Sequence, residues 1–180
     1  MSQSLFEWHT AMTRASQFAA WASRVRRQSP GRLAVAAAVA LIGLAPGTAA
    51  AIGCRVTVVP FAFGNYSPGD SFPLDVTGSI DVRCQGTAGS FLATLSTGSS
   101  GSFAERHMLS GTSVMLYNFY INPARTVVWG DGTGGSLPIM RNKPRPGRQD
   151  FALPVYGRIP PSQSVGSGTY TDDIIVTIVF

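Results

Sequence analysis

The sequence predicts an all-β sandwich. Turn residues punctuate residues 52–180 throughout, short apolar or alternating runs lie between them, and no stretch carries helical amphipathic spacing. The final run, TYTDDIIVTIVF (169–180), is the most telling. Ile174, Val176, Ile178 and Phe180 fall on one face of a strand, and Ile175, Thr177 and Val179 on the other. Both sets are mostly apolar and β-branched, so both faces expect cover. A strand of this kind at the end of a sequence is an aggregation edge unless a partner shields it.

The other strands follow in order. Arg55–Val59, Gly78–Cys84 and Phe91–Ser96 are short runs bounded by Pro, Gly and Ser. In Val114–Ile121, Tyr117, Phe119 and Ile121 alternate with Leu116, Asn118 and Tyr120, as in a half-buried strand. Asn122-Pro123 then forces a turn, which makes Thr126–Trp129 the second arm of a hairpin. Phe151–Gly157 and Tyr170–Phe180 complete the set. STGSSGS (96–102) and TGGS (133–136), the latter after the Asp131-Gly132 turn, read as loops.

Residues 1–51 have the order of an export leader. A polar stretch with Arg14, Arg24, Arg26, Arg27 and Arg32 precedes an apolar run of 13 residues, Leu33–Ala45. Pro46-Gly47 and small residues to Ala51 follow, which is a basic region, an apolar core and an A-x-A cleavage site. A membrane-spanning helix needs about 20 apolar residues, so the run is short for an anchor. Cleavage after Ala50 or Ala51 leaves one domain, residues 52–180. The formal charge of the chain is +5, and residues 1–51 hold +4 of it. The basic balance therefore belongs to the leader and does not point to nucleic acid. One basic cluster remains, RNKPRPGR (141–148), which its two Pro and one Gly mark as a solvated loop.

Residues that could carry chemistry are few. Cys54 and Cys84 point to one disulfide in an exported chain. Two free thiols are the reading a reducing compartment would require, and a metal site would need further ligands. His107 is the single histidine after the leader, no G-x-S-x-G occurs, and Thr97–Gly101 resembles such an elbow in composition only. Asp172 and Asp173 are adjacent, so they alternate faces and read as polar punctuation before the apolar run. Asp131 in WGDG lacks acidic neighbours for a calcium site, and WGDGTGG lacks the helix and Lys-Ser/Thr of a phosphate loop. No catalytic, cofactor-binding or metal-binding set is expected. A carbohydrate- or surface-binding module would act through the Gly-rich loops and exposed aromatics, for which the candidates are Phe61, Phe63, Tyr66, Phe103 and Trp129, each weighed against core packing.

Seven segments occur together in order: FGNY (63–66), LDVTGSIDVRC (74–84), LSTG (95–98) with Arg106-His107-Met108, LYNFY (116–120), WGDG (129–132), VYGRIPPSQ (155–163) and GTYTDDIIVTIVF (168–180). In these the chain resembles the spore coat protein U domain, the fold shared by subunits of archaic (Csu-type) chaperone–usher pili. The resemblance covers residues 54–180. It implies an incomplete immunoglobulin-like β-sandwich, completed by a strand donated first by a periplasmic chaperone and then, at an outer-membrane usher, by a neighbouring subunit. On this reading Ile174, Val176, Ile178 and Phe180 border the open groove. The Phe180 carboxylate is an anchor for basic residues of the chaperone, and Cys54–Cys84 ties the first two strands together. Shaft subunits of the family carry a donor extension ahead of the first cysteine. Cleavage near Ala51 leaves only Ile52 and Gly53, too short to fill a groove. The expectation is an acceptor-only, tip-like structural subunit of a surface pilus or coat, not an enzyme, with a surface- or carbohydrate-binding adhesin module as the alternative.

Overall fold

The computed structural model describes residues 2–12 and 51–180. Its strands are β1 (Ser2–Met12), β2 (Gly53–Val58), β3 (Gly64–Tyr66), β4 (Leu74–Gln85), β5 (Gly89–Leu95), β6 (Arg106–Ser110), β7 (Ser113–Tyr120), β8 (Ile139–Lys143), β9 (Gln149–Ile159) and β10 (Thr169–Val179). One short 3₁₀ turn, Gly98–Ser100, lies between β5 and β6. The all-β expectation holds. The leader expected over residues 1–51 lies outside the described residues except for 2–12 and Ala51.

The strands form two layers joined through β7. In the first layer β2 pairs β4, β4 pairs β9 and the end of β7 pairs β9, all antiparallel. The second layer holds β8, β5, β10, β1 and β3 in that order, with β6 also against β10. The first half of β7 pairs β6 and its last residues, Asn118–Tyr120, pair β9, so this strand passes between layers. Packing between the layers is direct. Phe91 on β5 meets Phe151 on β9 edge to face, with centroids 5.1 Å apart.

Alternation explains the long strands. β4 and β9 pair continuously from Leu74↔Ile159 to Cys84↔Gln149. Ile80, Val82, Leu153, Val155 and Ile159 are buried on their inner faces. β10 alternates in the same way, with Tyr170, Asp172, Ile174, Val176 and Ile178 buried between exposed neighbours. Two glycines have a packing reason. A Cβ on Gly157 would lie 2.7 Å from the Phe63 ring and 2.8 Å from that of Phe61, and one on Gly78 would lie 2.8 Å from Phe61. The bare backbone of β4 and β9 is therefore the surface on which these two rings lie.

The structure corrects several local expectations. Thr126–Trp129 is not a regular strand. Its hairpin with β7 is reduced to one bridge, Tyr120↔Val128, flanked by bonds from Ile121 N to Val127 O and Trp129 N to Phe119 O. The Asn122 side-chain oxygen accepts from the N–H of Thr126 and of Val127, which diverts the backbone into a side-chain-closed turn. RNKPRPGR is not wholly a solvated loop, because Arg141–Lys143 belong to β8. Lys143 is completely buried, and its ammonium donates to the carbonyls of Gly86, Thr87 and Arg145 at 2.6–2.9 Å. Three carbonyl acceptors replace its hydration. The short strands β3 and β6 lie in segments whose alternation is too brief to be read as strand.

Cys54 and Cys84 are direct register partners on β2 and β4 and form a disulfide. Closing a loop of sequence separation 30 stabilises by about 3–4 kcal/mol in the chain-entropy model. Cys84→Ser is expected to lower the stability of the full-length chain by that amount in denaturant titration, and an unchanged midpoint would contradict this role.

Candidate functional site

β10 has two edges, and they are satisfied differently. Along one edge β5 pairs Val176–Val179, Ile175 O accepts from Ser96 N, and β6 pairs Thr171. All of these partners belong to residues 51–180. Along the other edge the described strand is β1, which runs parallel to β10 through ten consecutive pairs from Gln3↔Thr169 to Met12↔Ile178. The far side of β1 pairs antiparallel with β3, from Ser2↔Tyr66 to Ser4↔Gly64. β1 thus sits in a slot between β10 and β3. Residues 51–180 by themselves provide both rims and no strand between them.

Ile174, Val176 and Ile178 lie on the core face of β10 and are fully buried, and Phe180 is half-buried just beyond the strand. Their backbone therefore borders the slot while their side chains pack inward. The far rim is held by the end of the FGNY segment. Phe63 meets Tyr117 at 5.7 Å and Phe119 at 6.0 Å between centroids. Tyr66 is buried, and its hydroxyl accepts from Gln163 N at 2.8 Å. The Gln163 amide in turn accepts from Leu116 N and donates to Leu116 O. This gives the last residue of VYGRIPPSQ a bracing role that the sequence does not announce.

The near rim is fixed by a buried polar knot. Asp172 is not surface punctuation. It is buried and accepts from Tyr117 OH at 2.7 Å, Ser99 N at 2.8 Å and Asp173 N at 2.9 Å. Gly98 is required beside it, because its φ is +66° and a Cβ there would lie 2.1 Å from an Asp172 oxygen. Arg106 is completely buried beneath, and donates to Ser96 O, Trp129 O and the Asn118 side-chain oxygen at 2.6–3.0 Å. Its guanidinium lies 5.1 Å over the Phe103 ring. Burial holds the Arg106 pKa down to about 10. Burial, then the neighbouring Asp172, pushes the Tyr117 hydroxyl well above the ordinary tyrosine range. LSTG, Arg106-His107-Met108, LYNFY, WGDG and TYTDD, scattered in sequence, converge on this knot. His107 itself is half-buried on β6, and its carbonyl accepts from Ser99 Oγ.

The aromatic candidates for ligand binding are core residues. Phe61, Phe63, Tyr66, Phe103 and Trp129 are each at most 7% exposed, and the Trp129 indole donates to Ala93 O at 2.9 Å. The two Gly-rich loops do frame a shallow cavity of about 500 Å³, lined by Ser96, Thr97, Ser102, Phe103, Asp131 and Thr133 among others. Asp131 already accepts from the N–H and hydroxyl of Thr133. Phe72, exposed on the loop before β4, is an aromatic that sequence reasoning passed over. Among the described residues no cluster of three His, Cys, Asp or Glu side chains could hold a metal ion.

The knot generates a stability prediction. Tyr117→Phe leaves a buried acceptor short of one donor and is expected to cost about 1–3 kcal/mol in denaturant unfolding at neutral pH. Because the folded Tyr117 keeps its proton above the unfolded value near 10, its contribution is complete below that pH and is lost above it. Arg106, held down to about 10, titrates in the opposite sense over the same range. The comparison of wild type with Tyr117→Phe reads the tyrosine together with its coupling to Arg106. Stability of the wild type should fall more steeply above pH 10 than that of the variant, and equal slopes would contradict the assignment.

Protein U of Myxococcus xanthus is 30% identical over 169 residues, spanning 84% of this chain and 89% of that protein. Among solved structures, a similar one is the crystal structure of the CsuC–CsuE chaperone–tip adhesion subunit pre-assembly complex from the archaic chaperone–usher Csu pili of Acinetobacter baumannii. The TM-score is 0.48 at 20% identity, over 72% of this chain, which spans 40% of that one. Residues 39–177 match the Spore Coat Protein U domain, and the chain belongs to that family.

Proposed function

We propose that this chain is an exported structural subunit of a surface pilus or coat, assembled by strand donation. One observation carries the reading. The second edge of β10, over Thr169–Ile178, is covered by a segment from outside residues 52–180, namely residues 2–12. Those residues lie inside the proposed export leader, so cleavage near Ala51 removes them and opens the slot between β10 and β3. A row of buried-side backbone groups without partners is costly, and strand addition from another chain is the direct remedy. Membership of the Spore Coat Protein U domain family supports this use of the slot.

In this scheme a periplasmic chaperone first occupies the slot beside Ile174, Val176 and Ile178. At an outer-membrane usher its strand is exchanged for that of a neighbouring pilus or coat subunit. The processed chain begins with Ile52 and Gly53 and then enters β2 at the disulfide, so it has no free segment with which to fill a neighbour's slot. It acts as an acceptor, which places it at a fibre tip or in a coat that does not polymerise through it. Burial of Phe61, Phe63, Tyr66, Phe103 and Trp129 takes away the aromatic part of the carbohydrate-binding alternative and leaves it only the Gly-rich loops. The function needs no enzymatic chemistry, cofactor or nucleic-acid contact.

Co-expression tests the proposal. The exported chain alone is expected to aggregate or be degraded. With the pilus chaperone it should be recovered as a soluble one-to-one complex whose N-terminal sequence begins within one residue of Ile52. A processed chain that is a stable, reversibly folding monomer would contradict strand donation. An N-terminus that retains the Leu33–Ala45 segment would contradict the acceptor-only role.

A further inference from the structure

Residues 2–12 are placed as a strand of the domain. They pair β10 at ten successive positions and β3 at three, so both of their edges are engaged where the three strands overlap. The sequence agrees with the seat. Ser4, Phe6, Trp8, Thr10 and Met12 are the register partners of buried Tyr170, Asp172, Ile174, Val176 and Ile178, and Gln3, Leu5, Glu7, His9 and Ala11 those of Thr169, Thr171, Asp173, Ile175 and Thr177, so the first set holds Phe6, Trp8 and Met12 and the second holds Glu7 and His9. The large apolar residues are thus biased toward one of the two alternating sets. Such a bias is out of place in the basic region of a leader, which has no need to alternate.

We infer that residues 2–12 are a built-in placeholder strand. In the unprocessed chain they fill the acceptor slot in cis, and the cut that releases the leader also empties the slot. The inference rests on the leader and acceptor reading above, and adds to it a reason why capture by a partner follows processing. A tethered strand competes at an effective concentration on the order of millimolar, well above that of a free partner. While the tether is intact, an outside strand is therefore held off. Once it is cut, the placeholder has no such advantage.

The test uses the full-length chain. Ala11 and Thr177 are register partners, and neighbouring strands lie about 4.7–4.9 Å apart, within the range a disulfide can bridge. Ala11→Cys with Thr177→Cys should form an intramolecular cross-link, mapped by mass spectrometry under non-reducing conditions. Ala11→Cys with Thr171→Cys should not, because six residues displace the partner by about 20 Å. Absence of the in-register link, equal linking in the control, or a link between two chains would overturn the inference.

A second measurement avoids new cysteines. The synthetic peptide SQSLFEWHTAM, fluorescently labelled, should bind the full-length chain at least tenfold more weakly than the variant carrying Glu7→Pro and Trp8→Pro. That variant loses backbone donors at two successive positions of the placeholder. Equal binding to both would also overturn the inference. Failure here with a chaperone complex still formed by the processed chain removes only the placeholder. A processed chain that is a stable monomer removes the acceptor reading itself.

Discussion

Backbone hydrogen bonding along β10 is the constraint on which the rest of the structure depends. A strand has two edges, and in the interior of a sandwich both must be paired. β5, Ser96 and β6 together satisfy one edge from residues of the domain itself. The other edge faces β3 across a space one strand wide, and the described strand within it starts at residue 2. Ile174, Val176 and Ile178 are fully buried, so the strand that borders this space is also the centre of the core. Stability and assembly are thereby coupled. Whatever occupies the slot completes the same sheet that the core packs upon.

The rims of the slot are braced by polar groups rather than by further apolar packing. On the β10 side, Asp172, Tyr117 and the N–H of Ser99 lock the strand to the loop after β5. Arg106 ties that loop to the backbone of Trp129 and to Asn118. On the β3 side, Tyr66 and Gln163 hold the short strand against β7. A fully satisfied buried network specifies geometry more sharply than interchangeable apolar contacts do. Such bracing fixes the spacing and register of β10 and β3. The disulfide performs a comparable service at the other layer, where it joins β2 to β4.

The long strands were legible because alternation persists over eleven or twelve residues in β4, β9 and β10, which is enough to define a covered face. The expectation that β10 is shielded by a partner rests on the same alternation, in IIVTIVF. Short elements were not. β3 has three residues and β6 five, and the charged RNK of β8 hides Lys143, whose burial depends on carbonyls from residues 86–87 and 145. The polar knot was illegible for a related reason. Asp172, Arg106 and Ser99 acquire their meaning only when β10, β6 and the 98–100 turn meet, so the sequence shows Asp172 as polar punctuation and Ser99 as a loop residue, and gives Arg106 no role. Residues 2–12 show only a bias toward alternation, broken by Leu5-Phe6 and Ala11-Met12, and the leader around them gave no cause to look for a strand.

The most direct test of the unfilled edge is a determined structure of the exported chain taken from its native surface assembly. The strand lying between β10 and β3, beside Thr169–Ile178, should belong to a different polypeptide. A strand drawn from residues 52–180 of the same chain, sealing β10 by itself, would contradict strand donation outright.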